Sequence, residues 1–508
     1  MNKLFKAMFC VTFFSVATRA LGFLLKIYLS RKLSSELLGS YQVAMSIFGV
    51  LMTLVSSGIP VVLSRNVSYY HGQKNKKAIG SIVSSGLILT AIICAVVSLL
   101  VTLFPSITNW LFTSTASTQM LYILLPGLVF SSIYEVLRGA LWGEQKFFAI
   151  SFTEFFEQIA RIIIIVILFE TSFVSISPTN KTALSLSLAC ILSSILVLII
   201  YFKNKGTLAN PKFEFKKLVK TSTPITAIRT ISSLMSSVIA VIIPIKLMDF
   251  GYSSSEALSE FGIIMGMTFP LIMIPSTLIS SLAVTIIPGI SEQSNDIDSG
   301  NLKDTRVLKS KVNFAVKTAI VFSMILIPTF ISLGVPLCNF IFNNSKAGIY
   351  LSYSAVAMLP LGVSQITSSI LNAIGLEIKS LKHYAFSSLL LVLAIIILPK
   401  YIGTYSLIIG YILMSVSTSF FNISMLKKRD LIDFTFSKTI ITMSTISVFS
   451  ALLSYFMFQL FSTNFILALI IAIITSFAST GVLILTMNIA NFKVIVFNKI
   501  GFLKKKTS

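Results

Sequence analysis

The chain reads as a succession of long apolar windows divided by short polar loops. The windows lie near residues 5–30, 36–62, 78–104, 116–141, 146–169, 182–202, 220–247, 257–287, 309–333, 348–373, 380–399, 402–426, 437–460 and 464–488. A span needs about 20 residues to cross roughly 30 Å of hydrocarbon, a length that each of these windows supplies. Only helices and closed barrels satisfy their own backbone groups in lipid. Runs such as Ile162–Phe169, Leu389–Leu398 and Phe465–Ala478 lack the strict alternation of barrel strands. The pattern therefore predicts an all-α membrane protein with about fourteen transmembrane helices. The stretch Met1–Phe14 has the look of a signal peptide, but the apolar run continues past Arg19 to Leu29 with no small-residue cleavage site. It is read as a retained first span.

Composition agrees with this reading, since 55% hydrophobic and 11% charged residues exceed what a soluble core can absorb. A net charge of +23 raises the question of nucleic acid, yet the basic residues are scattered in short clusters rather than gathered into one stripe. No nucleic-acid partner is expected. The clusters instead mark topology. Basic loops at Arg65–Lys77, Lys203–Lys220, Lys303–Lys311, Lys427–Lys438 and Lys493–Lys506 alternate with loops whose basic residues are Arg31, Lys32, Lys181, Lys246, Lys346 and Lys400. The positive-inside rule then places both termini in the cytoplasm of a multi-pass plasma-membrane protein and requires an even number of spans. Cys10, Cys94, Cys190 and Cys338 lie in apolar segments without a CxxC spacing, so neither a disulfide framework nor a metal site is expected.

Paired signals divide the chain into halves. Ala17-Thr18-Arg19 matches Ala227-Ile228-Arg229, Gly143-Glu144-Gln145-Lys146 matches Gly375-Leu376-Glu377-Ile378-Lys379, and Pro60 with Ser64 matches Pro288 with Ser291, in the same order. The expected organisation is an N-lobe over residues 1–204 (spans one to six), a basic cytoplasmic linker over 205–219 and a C-lobe over 220–428 (spans seven to twelve). Residues 429–508 add two helices and a basic tail. An even number of helices per repeat relates the lobes by an axis along the membrane normal.

Ionisable groups at mid-membrane cost on the order of 3 kcal/mol each, so they face partners, water or a cavity. Glu135, Arg138, Glu154, Glu157, Arg161 and Lys317 read as an intramembrane charge network. Within it, Glu135 and Arg138 have i,i+3 spacing, and Glu157 and Arg161 have the i,i+4 spacing of an ion pair. Arg19 and Arg229 have no acid within one turn and recur in both lobes. Two such guanidiniums would form a receptor for phosphate or pyrophosphate, which the planar fork binds bidentately, with Lys26 and Arg65 completing the substrate-binding set. The cargo expected is an anion. There is no G-x-x-x-x-G-K-[ST] or H-E-x-x-H, and His71 and His383 fall in predicted cytoplasmic loops, so an enzyme or a cofactor is not expected. Transport would draw on a coupling ion, the membrane potential or the cargo gradient.

Thr18-Arg19-Ala20-Leu21-Gly22-Phe23, then Ser57-Gly58-Ile59-Pro60 with Ser64-Arg65, resembles the opening of the polysaccharide-transport flippases, in particular the stage V sporulation protein B and MurJ-like group. Leu137-Arg138-Gly139, Gly143-Glu144-Gln145 and Glu157-Gln158-Ile159-Ala160-Arg161 resemble that group's signature in spans four and five. Ile287-Pro288-Gly289-Ile290-Ser291-Glu292 is similar to its span-eight ending. The resemblance implies the two-lobed fold of the multidrug/oligosaccharidyl-lipid/polysaccharide exporter superfamily, with a central cavity and alternating access. It further implies a monomeric flippase for an undecaprenyl-diphosphate-linked glycan, lipid II or a related precursor, with the diphosphate held by Arg19 and Arg229. The last two helices would form a groove for the lipid tail. The competing reading is a cation-coupled multidrug exporter, which would favour twelve helices and an acid-lined cavity.

Overall fold

The apolar windows become helices almost one for one. The computed structural model describes residues 3–106, 112–171, 176–211, 215–298, 305–432 and 436–487. Among them it contains α1 (Lys3–Lys32), α2 (Ser35–Ser56), α3 (Ile59–Gly72), α4 (Lys76–Leu103), α5 (Thr115–Gly143), α6 (Phe147–Glu170), α7 (Pro178–Lys203), α8 (Phe215–Asp249) and α9 (Ser254–Gly262). These are followed by α10 (Ile274–Asp298), α11 (Arg306–Phe342), α12 (Ser345–Ser354), α13 (Met358–Ala373), α14 (Glu377–Ile397), α15 (Tyr405–Lys428), α16 (Phe436–Leu460) and α17 (Phe465–Thr486). No strand occurs among the described residues.

Twelve described helices are long and apolar enough to cross a membrane, or up to thirteen if the bent pair Ser254–Ile272 and Ile274–Ala283 is one span. The predicted span at 146–169 is the helix α6. It falls outside that tally because Glu154, Glu157 and Arg161 interrupt its apolar face.

Three local departures from the expected pattern have physical causes. The second window does not end near Pro60 but continues as α3 to Gly72, because proline at a first helical turn lacks only an N–H that would be unpaired there anyway. The eighth window is interrupted by a π-turn at Ile263–Thr268 and again at Met273. His71 and His383 lie in helices α3 and α14 rather than in loops: α3 runs past the second apolar window with polar residues, and His383 falls within the window at 380–399, which is helical from Glu377. His383 Nδ1 meets the buried Asn422 Oδ1 at 2.9 Å. The basic tail from Lys493 to Lys506, with Lys212, Lys303 and the Cys10 and Lys438 side chains, lies outside what is described.

The chain forms two compact units, residues 1–266 and 267–508. In the first, α5 packs along α7 and against α2, α3 and α4, while α6 packs on α7 and α1. In the second, α13 packs on α10, α11 and α15, and α14 lies along α15. Span four thus meets two, three and six as span ten meets eight, nine and twelve. The final pair, α16 and α17, dock on α11 through Leu333, Leu469 and Ala472 and a Thr329–Ser476 hydroxyl bond of 2.8 Å.

Lipid tails are as apolar as leucine, so helices here are joined by close contact and interhelical hydrogen bonds more than by expulsion of water. In the first unit Ser187 donates to the Ile123 carbonyl at 2.6 Å, and Ser194, two turns on, donates to the Phe130 carbonyl. Gly139 and Gly143 give α5 a bare strip on which α3 lies. A Cβ at Gly139 would sit 2.8 Å from the Pro60 carbonyl, and one at Gly143 2.6 Å from the Ser64 carbonyl. Around this crossing Leu63, Val67, Ile82, Val136, Leu137, Ala140 and Tyr201 form the core. The segment 205–211 is strapped to α4 by Ser81, which donates to the Asn210 carbonyl at 2.6 Å, and to α7 by Tyr201, which donates to that of Thr207 at 2.9 Å.

Overpacking such a crossing costs about 1–3 kcal/mol per site. Gly139→Ala and Gly143→Ala should each lower the thermal midpoint of the solubilised protein, whereas Gly49→Ala, whose Cβ meets nothing within 4 Å, should not. Equal midpoints for all three variants in a melting assay would contradict the α3–α5 packing described.

Candidate functional site

Beside the α3–α5 crossing the first unit holds a cavity of about 540 Å³. One wall is a single stripe of α5, with Glu135, Arg138, Gly139 and Trp142 at i, i+3, i+4 and i+7. The rest comes from the end of α2, the start of α3 and Arg229 of α8.

Arg138 is already satisfied electrically. Its Nη1 donates to both Glu135 oxygens at 2.9 and 3.2 Å, and its Nη2 lies 2.6 Å from Glu154 Oε1 on α6. The expected Glu135–Arg138 contact is therefore present, and Glu154 extends it across two helices. Two carboxylates on one guanidinium leave this trio one negative charge in excess. With 27–33% of each side chain exposed, the cluster is partly solvated.

Arg229 is in a different state. Gly58, between α2 and α3, has no side chain, and a Cβ there would collide with Thr226 and the Ser222 carbonyl of α8. That close approach sets Arg229, one turn later, beside the break between α2 and α3, where its Nη1 donates to the Ser57 carbonyl at 3.0 Å. No carboxylate pairs with Arg229 among the described residues. A guanidinium has five N–H donors, so most of the fork remains available to a ligand. The Ser57 hydroxyl, buried at the same cavity, has no hydrogen-bond partner among the described residues.

The other anticipated residues are distributed differently. Glu157 and Arg161 do not form the expected ion pair; Arg161 Nη2 instead takes the buried Tyr41 hydroxyl of α2 at 2.8 Å. Glu157 interacts with Ser193 of α7. Arg19, Lys26 and Arg65 are exposed on α1 and α3 and do not line the cavity. Lys317 is half-buried in α11 of the second unit.

Two features were missed in the sequence. The Ser57 carbonyl is a backbone atom and leaves no residue-type signal. Trp142, 47% exposed at the cavity wall with its indole edge-on to Phe147 at 5.6 Å, was legible in principle from its spacing to Glu135 and Arg138. Just past α5, burial pushes the Glu144 carboxyl above the usual range against the pull of His71, Lys146 and Lys76.

Comparison with known proteins adds family and fold. The chain is 24% identical over 353 residues to stage V sporulation protein B of Bacillus subtilis (strain 168), covering 67% of each chain. Its fold is similar to the lipid II flippase MurJ in an inward closed conformation, with a TM-score of 0.73 and 17% identity over 94% of this chain and 99% of that one. It is also similar to an inward-facing multidrug resistance MATE transporter of the MOP superfamily, with a TM-score of 0.68 and 16% identity over 82% and 94%. Residues 4–294, more than half of the chain and all of the cavity's walls, match the model for polysaccharide biosynthesis proteins, and this multi-pass membrane protein belongs to that family.

Proposed function

We propose that the protein is a flippase that moves an undecaprenyl-diphosphate-linked saccharide, lipid II or a related polysaccharide precursor, across the bacterial plasma membrane by alternating access between two lobes. The observation that carries this reading is Arg229, a guanidinium with no carboxylate partner among the described residues, at the wall of a cavity inside a helix bundle. Holding an unneutralised cation within a membrane domain is costly. A diphosphate supplies the missing negative charge and accepts from a planar fork in bidentate geometry. Arg19, exposed on α1 without a partner among the described residues, would take the diphosphate at another stage of the cycle. The cargo's hydrocarbon tail would stay in lipid beside the bundle, and the membrane potential or a coupled ion would set direction.

Membership of a polysaccharide biosynthesis family and the fold shared with MurJ support this reading. A cation-coupled drug exporter would require a free acid in the cavity, and the acid that lines it, Glu135, is bound to Arg138. Both termini would face the cytoplasm.

Arg229→Ala and Arg19→Ala should each abolish complementation of a bacterium depleted of its own lipid-linked-glycan flippase while the protein still inserts. Arg229→Lys, which keeps the charge but loses the fork, should retain part of it. Full complementation by both alanine variants at normal expression would remove the diphosphate clamp. In the same cells, green fluorescent protein fused after Lys506 should fluoresce and alkaline phosphatase fused at Lys346 should be active; the reverse pattern would invert the topology.

A further inference from the structure

The cavity is chemically two-sided, and the side away from the phosphate site has its own character. On α5 the indole of Trp142 is held edge-on by Phe147 and left half-exposed. Glu135 stands two turns before it on the same stripe, and Arg138 between them is occupied by Glu135 and Glu154. This wall therefore offers an apolar ring face and a carboxylate, with no cation free to receive a second anion.

We infer that the α5 wall is a sugar subsite that selects a neutral or amino sugar next to the diphosphate and rejects a uronic acid there. The inference rests on the diphosphate reading of Arg229 given above. A pyranose presents a face of C–H groups that stacks on an indole, and its hydroxyl or amine protons are donated to a carboxylate. The Ser57 hydroxyl, buried and without a partner among the described residues, supplies a further polar contact beside Arg229. A sugar carboxylate would instead meet the excess negative charge of the Glu135–Arg138–Glu154 trio. A cavity of about 540 Å³ lies within the range of small-ligand sites, which is room for a diphosphate and its first sugar ring.

The chain has two tryptophans, so Trp110→Phe leaves Trp142 as the lone indole reporter. The full chain with this substitution, in phosphatidylcholine nanodiscs, is titrated with undecaprenyl diphosphate, its N-acetylglucosamine conjugate and its glucuronate conjugate, following indole emission. The N-acetylglucosamine lipid should bind about fivefold more tightly than the bare diphosphate, the size of effect an aromatic contact gives, and the glucuronate lipid should show no gain. Trp142→Ala, read by displacement of a fluorescent diphosphate lipid, should erase the sugar preference. Glu135→Gln, which leaves Arg138 its Glu154 partner, should let the glucuronate lipid bind more tightly than the bare diphosphate.

Equal affinity for all three lipids, lost together on Arg229→Ala, would overturn the sugar subsite and leave the diphosphate site standing. Shifted indole emission with free N-acetylglucosamine disaccharide but no binding of any diphosphate lipid would do the converse. A preference unchanged by Trp142→Ala would likewise overturn the assignment of that wall.

Discussion

A bilayer interior contains no water to complete a polar group's bonds, and nearly every feature of this protein answers to that constraint. Backbone groups close on themselves in helices, and side-chain hydroxyls turn to carbonyls, as Ser187 and Ser194 do toward α5. Since burying leucine against leucine gains little over leucine against lipid, affinity between helices must come from approach. Gly139 and Gly143 supply it at the α3–α5 crossing and Gly58 at the approach of α8. The cavity lies at these same contacts, so its walls are fixed by glycine-mediated packing rather than carried on loops.

The same constraint sorts the charges. Arg138 is neutralised in place by carboxylates from two helices, which makes it a cross-brace whose orientation is set by Glu135 and Glu154. Arg161 is tied to a tyrosine of α2. Arg229 has only a backbone carbonyl among the described contacts, and a carbonyl orients a guanidinium without cancelling its charge. A cation held in position but not neutralised is disposed to receive an anion, and Arg229, more exposed than Arg138 and Arg161 and without their side-chain partners, is so placed at the cavity wall.

Much of the fold was legible because lipid imposes length and composition on every span, so windows such as 116–141 and 220–247 map directly onto α5 and α8. What escaped were events that do not alter hydropathy. The break between α2 and α3 occupies two small residues, Ser57 and Gly58, within an unbroken apolar window. The π-turn at Ile263–Thr268 is likewise without a charged residue and apolar up to its final threonine. The site was half legible: the i,i+3 spacing of Glu135 and Arg138 is local and came through. Arg161's choice of Tyr41 over Glu157 depends on a helix about 120 residues away in sequence, which periodicity along α6 cannot report.

A carrier that releases its cargo cannot hold each part of it as tightly as a receptor would. On the proposed diphosphate reading, Arg229 would meet this requirement, because its Ser57 carbonyl partner would leave the fork partly satisfied rather than bare when a phosphate departs. The Glu135–Arg138–Glu154 trio would work the same way if that wall holds a sugar as proposed, since a departing hydroxyl would leave Glu135 still paired with Arg138. Each wall thus keeps an internal partner for its charged group, which lowers the cost of the empty state in a low-dielectric setting where an abandoned charge would otherwise be penalised. A cavity built on these lines would never leave its charged groups wholly without a partner, which favours turnover over capture.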